Sequence, residues 1–377
     1  MRFTGALLAA AFYVSALINP AARADPQRVY IGTYTSGTSD GIYVLDFDSS
    51  AGAADNLRLA AKTENPSFLA KHPTLPVIYA VGEMVKEPDG PGGTVSAFRI
   101  EVSGALTLIN RASSVGDGPC HVAVAPSGKH VAVANYGGGS TALLPIDDTG
   151  ALGRASAFVQ HEGSSVNPQR QEGPHAHSVT FDPSGKYLVV ADLGLDKLLV
   201  YRYDAEKGAL APNERPAALK PGAGPRHTKF HPTLPYLYVV NELDSTVTTF
   251  AFDAASGAAK QIQNVGTLPG DFAEASTTAE IRVHPSGAFV YASNRGHDSI
   301  SVFTVESASG TLSLKGHTPT AGSTPRNFNL DPSGKYLIAA NQKSDTIVTF
   351  SIDQKTGALS PLGEPIVVPM PVCVLFL

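Results

Sequence analysis

The amino-acid sequence predicts an all-β protein, a seven-bladed β-propeller of four-stranded antiparallel blades. Three observations predict it. A proline-led turn recurs at Pro73, Pro126, Pro183, Pro232, Pro285 and Pro332, in steps of 53, 57, 49, 53 and 47 residues, a period that points to propellers and arrays. A small or polar residue stands nine positions after each of these prolines: Gly82, Asn135, Asp192, Asn241, Asn294 and Asn341. No long helical periodicity competes with the short apolar runs between the turns.

The chain opens on a segment read as targeting rather than fold. Arg2 supplies a positive start, Ala6 to Ile18 is apolar, and Ala22-Arg23-Ala24 makes a small-residue cleavage site. The apolar run is shorter than the roughly 20 residues a spanning helix needs, and Asn19-Pro20 interrupts it. Residues 1–24 are therefore expected to be a signal peptide, cleaved to leave a periplasmic or secreted chain that begins near Asp25. Residues 25–377 are expected to form one propeller domain.

Each unit then repeats one grammar. An apolar strand leads into a turn such as Asp182-Pro183-Ser184-Gly185-Lys186, and Tyr187-Leu188-Val189-Val190 follows as the second strand. Proline presets φ in such a turn and glycine supplies the permissive conformation. A third strand, for example Ser299 to Phe303, precedes a glycine turn at Gly104, Gly150, Gly208, Gly257, Gly310 or Gly357, and a fourth strand closes the unit. One unit is split. Arg28 to Gly32 reads as a second strand without a first, and Met370 to Val374 aligns with the inner strand at Thr324 to Phe328. The C-terminal strand should complete this first blade and close the ring, protecting edges that an open sheet exposes. Cys120 and Cys373 fall on inner strands of the third and first units, a whole blade apart, so no disulfide is expected.

The formal net charge is −5, with charges scattered along the chain. Neither a nucleic acid nor an anionic membrane surface is indicated as a partner, and a monomer acting on a small molecule is expected. The residues six before each turn proline are Ser67, Cys120, His177, Arg226, Ala279 and Arg326, with Val372 as the seventh. Those ten after it are Glu83, Tyr136, Leu193, Glu242, Arg295 and Gln342, with Thr33 from the split unit. Antiparallel pairing puts both sets around one mouth of the central channel. His177, Arg226, Glu242, Arg295 and Arg326 thus converge, and charged groups near the centre of a fold are paired or functional. Arg282 should lie on an inner strand away from that mouth. His72, His231 and His284 occupy equivalent turns of three blades and read as turn residues, not metal ligands. Neither a metal nor a cofactor is expected: the mouth is rich in cations, and no Gly-x-Ser-x-Gly elbow or phosphate loop occurs.

Six stretches carry a resemblance: Ile31-Gly32-Thr33-Tyr34-Thr35, Ala134-Asn135-Tyr136-Gly137-Gly138-Gly139-Ser140, Pro174-His175-Ala176-His177, Gly224-Pro225-Arg226-His227, Asn241-Glu242 and Ser293-Asn294-Arg295. In these the chain resembles the seven-bladed propeller lactonases, which include 6-phosphogluconolactonases of the propeller type and carboxy-muconate lactonising enzymes. The resemblance implies His177, Arg226, Glu242 and Arg295 as the active-site group. Glu83, Tyr136, His175, His227 and Arg326 are expected to line the substrate site. Lactone hydrolysis needs an activated water and a place for the developing oxyanion. Glu242 is favoured as the base, with His177 orienting the water or protonating the leaving oxygen. Arg226 and Arg295 would hold the carbonyl oxygen and an anionic group of the substrate. A muconate-type cycloisomerase and a non-catalytic binding scaffold are the alternatives. Neither Glu242 nor Arg295 belongs to the apolar core of a blade, so their substitution is expected to change melting little.

Overall fold

A computed structural model describes Met1 and residues 27–86, 92–213 and 216–377. The proposed signal peptide, Met1 aside, lies outside the described residues. Among these, 29 strands form seven antiparallel sheets, and each sheet is one blade. Six are four-stranded; the fourth blade gains a short fifth strand, Ala217–Ala218, beside its third.

The first blade is built from both ends of the chain. Its inner strand is Pro371–Phe376, paired with Gln27–Thr33, followed outward by Gly41–Asp48 and Ala53–Lys62. The predicted closure is therefore present. Apolar residues from adjacent blades interleave all the way round. One cluster joins Val29, Ile31 and Phe47 of the first blade to Ile338 and Ile347 of the seventh, so the junction of the two termini is packed like the others. The buried tyrosines on second strands add a polar tie between blades. Tyr30, Tyr79, Tyr238 and Tyr291 each donate their hydroxyl to the carbonyl of a glycine in the outer turn of the next blade, which satisfies a buried group. At one such turn, Gly310 has a φ of +70° and a Cβ there would come 2.5 Å from the Tyr236 ring, so conformation and space both require glycine.

Two further devices hold the turns and the mouth. His72 and His231 accept backbone N–H groups of their own turns at Nδ1, and their Nε2 atoms lie 3.0 Å from Gly128 and Gly287 carbonyls of the next blade. His284 does the same with Ser286 and Gly334. These three histidines are turn residues, as the register predicts. At the other end, Asn135, Asn294 and Asn341 donate from Nδ2 to carbonyls of the preceding mouth loops at Ser114, Thr267 and Thr320. That staple explains three of the polar residues nine after the proline; Asn241 instead donates to Thr246 and Thr248, and Asp192 accepts from the His175 N–H and pairs with His161. Cys120 and Cys373 are both free and buried.

Candidate active site

The residues around the mouth are set by a repeated irregularity. In the pairing of the inner strand with its neighbour the register slips at Cys120, His177, Arg226 and Arg326, and over Ala279–Glu280 in the sixth blade, whereas the second blade, with Ser67 ahead of its inner strand, has no slip. These are β-bulges, which leave one residue out of the ladder and re-aim its side chain. In the first blade the slip faces Val372. Bulges at the same height in successive blades therefore turn six side chains toward the channel axis.

The facing set lies just beyond the second strands. The backbone N–H of Tyr136 bonds the Gly118 carbonyl, that of Glu242 bonds Gly224, and that of Gln342 bonds Thr324. In the first blade the equivalent bond runs from Tyr34 to Met370. Thr33, the residue the register assigns to the mouth, is fully buried instead, its hydroxyl donating to the Gly41 carbonyl. Thr33 pairs with Pro371 as Asn241 pairs with Pro225, so Thr33 is the strand-end residue and Tyr34 takes the place expected of it. Leu193 is likewise fully buried and contributes an apolar wall rather than a polar group.

Glu242 is the hub. Its Oε2 accepts from Arg226 Nε at 3.0 Å and lies 3.1 Å from Arg295 Nη2, while its Oε1 accepts from Arg170 Nη2 at 2.6 Å. His177 Nε2 stands 3.9 Å from the same carboxylate, too far for a direct hydrogen bond. Burial alone would raise the Glu242 carboxyl, but Arg295, Arg226 and Arg170 outweigh it and hold it well below the usual carboxylate range. His177 also moves down, for a different reason: burial, then the Arg226 cation, keeps its imidazole well below its ordinary value and therefore neutral near pH 7. Burial likewise pushes Arg295 down to about 10, still fully charged at neutral pH. Arg295 also donates from Nη2 to the Thr278 carbonyl, and its buried Nε has no acceptor. The expectation that Glu242 can be replaced without cost to melting is corrected by this geometry, since its loss strands two buried guanidinium groups.

The remaining candidates fall into two places. Glu83 accepts from Tyr34 and Ser67, and Tyr34 in turn accepts from Arg326 Nη2 at 2.8 Å. This second polar chain lies across the mouth from Glu242. Tyr136 accepts from Arg170 at 3.2 Å and sets its ring edge-on to His177. His175 stacks on the outer face of Tyr136, 4.6 Å between centroids, with Glu172 at 3.2 Å, and so belongs to the rim. His227 lies one tier deeper. It accepts Arg226 Nη1 at 3.1 Å on Nε2, and its Nδ1 is 3.1 Å from Glu280. Between these tiers a space of about 10 Å³ lies beside Glu83, Cys120, His177, Arg226 and Arg326.

Arg170, Tyr34 and Glu280 were not identified from the sequence. Arg170 sits on the loop between Ala157–Gln160 and Ala176–Phe181, inside the longest step between turn prolines; that excess length was its one signal. Glu280 is the second residue of the doubled bulge, and nothing in the repeat marks it.

Four guanidinium groups and two carboxylates thus converge beside a neutral imidazole at the mouth of a closed propeller, the organisation of an enzyme active site for an electron-rich substrate. Comparison with known proteins specifies the class. Residues 28–376 match the family described as lactonase, 7-bladed β-propeller, and the chain belongs to that family. It is 39% identical over 349 residues to a 6-phosphogluconolactonase of Bacillus subtilis, covering 92% of this chain and 97% of that one. A 6-phosphogluconolactonase of Formosa agariphila is 35% identical over 308 residues, covering 80% and 85%. Among solved structures, the periplasmic gluconolactonase PpgL of Pseudomonas aeruginosa superposes with a TM-score of 0.87 at 32% identity, covering 93% of this chain and 98% of that one.

Proposed function

We propose that this protein hydrolyses an aldonolactone, with His177 as the proton acceptor and Arg295 and Arg226 as the oxyanion site. The observation that carries the reading is the contrast between the neutral His177 and the thrice-bonded Glu242, 3.9 Å apart. A carboxylate engaged by three guanidinium groups is a weak base. A neutral imidazole beside it has a free lone pair, and the imidazolium formed on proton transfer is stabilised by that carboxylate. Glu242, favoured as base from sequence, is thereby reassigned to positioning the arginines and supporting His177.

In this scheme a water attacks the lactone carbonyl carbon as His177 takes its proton. The negative charge that develops on the carbonyl oxygen is met by Arg295 and Arg226, whose guanidinium groups are already fixed by Glu242, Thr278 and His227. The ring C–O bond then breaks, and the imidazolium returns the proton to the leaving oxygen, giving a hydroxy acid. Four cations against two carboxylates leave an excess of two positive charges, which suits both the oxyanion and the product carboxylate. Tyr136, Glu83 and Arg326 line the same mouth, where they offer partners for sugar hydroxyls.

The substrate is proposed to lack a phosphate and to be met outside the inner membrane. The amino-terminal pattern of an export signal and the periplasmic setting stated for the Pseudomonas relative support this. A pH-stat assay on glucono-1,5-lactone with and without a 6-phosphate tests it. The unphosphorylated lactone should be opened with the higher kcat/KM. Turnover confined to the phosphate ester would overturn the choice of substrate, and no turnover on any lactone would overturn the enzyme reading.

A further inference from the structure

The channel has a second end, and it is closed off from the first. Inner-strand residues form three tiers: the bulge residues at the mouth, those directly after them, and those two positions further along, which the alternation of a strand returns to the same face. The middle tier fills the axis. Phe68 and His121 pack with ring centroids 4.0 Å apart, and His227 sets an edge against both, at 5.6 and 5.1 Å. Glu280 completes the plug, fully buried, reached by Asn327 at 2.6 Å and by His227 at 3.1 Å. Beyond it, at the end where the turn prolines lie, opens a cavity of about 480 Å³.

Two cations face that cavity from the third tier, Lys229 and Arg282. Arg282 is fixed, donating to Asn329 Oδ1 at 3.0 Å and to Glu280 Oε1 at 2.7 Å. Lys229 makes no hydrogen bond or ion pair with another described side chain. The charged and titratable groups around it are Arg282, Glu280, the Cys373 thiol and the His121 and His227 imidazoles, both held neutral first by burial, and Glu280 is already engaged by Arg282, His227 and Asn327. The tier therefore carries one positive charge in excess. Around them the channel-facing positions of the same tier are Ala70, Ala123 and Leu375, which are apolar, and Thr180 and Asn329, whose polar atoms are engaged with Thr228, Arg282 and the Val374 carbonyl. An ammonium group held in such a place without a counter-ion is costly.

We infer that the far end of the channel is a second ligand site, which takes a monocarboxylate with a short apolar body. The carboxylate bridges Lys229 and Arg282, and the body lies against Ala70, Ala123 and Leu375. The volume falls within the range of about 300–1,000 Å³ usual for small-molecule pockets. One excess charge matches one carboxylate. A sugar acid fits poorly, because the two uncharged polar side chains here, Thr180 and Asn329, already have partners and the rest of the tier is apolar, so this site is chemically distinct from the mouth. Burial, then Arg282, pushes the Lys229 amine down to about 8, so occupancy should fall as pH rises through that value. The inference does not depend on the reaction assigned to the mouth.

Isothermal titration of the purified protein with hexanoate, benzoate and gluconate at pH 7 provides the test. The parent should bind hexanoate or benzoate saturably at one site per chain and gluconate at least 10-fold more weakly there. Lys229→Met keeps the aliphatic stem and removes the charge; it should weaken binding at least 10-fold while lactone turnover stays at the parent level. Lys229→Arg should restore binding. Failure of the parent to bind either apolar acid at millimolar concentration overturns the inference whatever the variants do. So does a folded Lys229→Met protein that binds as tightly as the parent, or Lys229-dependent gluconate binding equal to that of hexanoate.

Discussion

Replacing Glu242 by glutamine separates the roles of the two groups at the mouth. The change preserves shape and removes one negative charge from a side chain that is 6% exposed and faces three guanidinium groups. Arg170, with 38% of its side chain exposed, can turn to solvent, and its share is small. Arg226 and Arg295, at 3% and 13%, cannot, and breaking a buried pair from one side costs about 3–5 kcal/mol. With an unfolding entropy of about 2.1 cal/mol/K per residue, a propeller of this size should lose about 4–7 °C in Tm. The sign of the pH dependence follows from the depressed carboxyl. Its contribution is complete above the unfolded value of about 4.3 and is lost as pH falls through the lower folded value. The gap in Tm between parent and variant should therefore be full at pH 7 and narrow below pH ~4. Activity carries the second half of the test. Glu242 holds the His177 imidazole up, so in the variant the acid limb of kcat/KM should move to lower pH but persist. Scanning calorimetry across pH and pH-stat kinetics on a lactone measure both. An unchanged Tm at pH 7 would refute the ion-pair argument, and an acid limb that vanishes altogether would return the role of base to Glu242.

Other perturbations bear on the same picture. His177→Gln should lower kcat by about 100-fold to 10,000-fold, the usual worth of a general base; a stopped-flow rate within threefold of the parent would place proton transfer elsewhere. Arg295→Lys keeps the charge but loses the rigid planar group whose Nη2 meets both Glu242 and the Thr278 carbonyl, and kcat/KM should drop about 100-fold; turnover equal to the parent's would remove Arg295 from the oxyanion site. Deleting residues 371–377 removes the inner strand of the first blade and uncovers the edge at Gln27–Thr33; the product should aggregate, and a soluble truncation with parental melting would refute closure by the C-terminal strand. Amino-terminal sequencing of the protein from an extracytoplasmic fraction should begin at or near Asp25, whereas an intact Met1 in the cytosol excludes the export signal.

The fold was legible because each of its rules is local and repeated. A proline before a turn, a glycine at an outer hairpin and an asparagine at a strand end each answer a nearby backbone requirement. At Asn294, for instance, Nδ2 ties the strand end to the Thr267 carbonyl and to Ser299 and Ser301. Six repetitions turned weak signals into a register, and the split blade followed by subtraction. The register failed at Thr33 for a reason equally local. There the partner strand comes from the other end of the chain, and no shared turn sets the count of residues between the two. A hairpin fixes register through its turn; a closure made by chain termini does not, and the error was one residue.

The site was legible in part, and the division has a physical cause. Positions on the repeating bulge could be read, because a bulge at a constant distance from the turn proline aims whatever residue occupies it: His177, Arg226 and Arg326 came from that rule alone. Partners supplied by irregular segments could not. Arg170 reaches Glu242 from the long connection between the third and fourth blades, and Glu280 becomes available because the sixth blade sets two residues, Ala279 and Glu280, outside the ladder where others set one. Of the two, Arg170 alters the chemistry. Without Arg170 and with Arg226 and Arg295 alone, Glu242 would retain a free Oε1 and a stronger claim to be the base. With Arg170 at 2.6 Å, both carboxylate oxygens are engaged and the lone pair available for proton transfer belongs to His177. A repeat thus specifies where the reacting groups stand, while the departures from the repeat decide which of them accepts the proton.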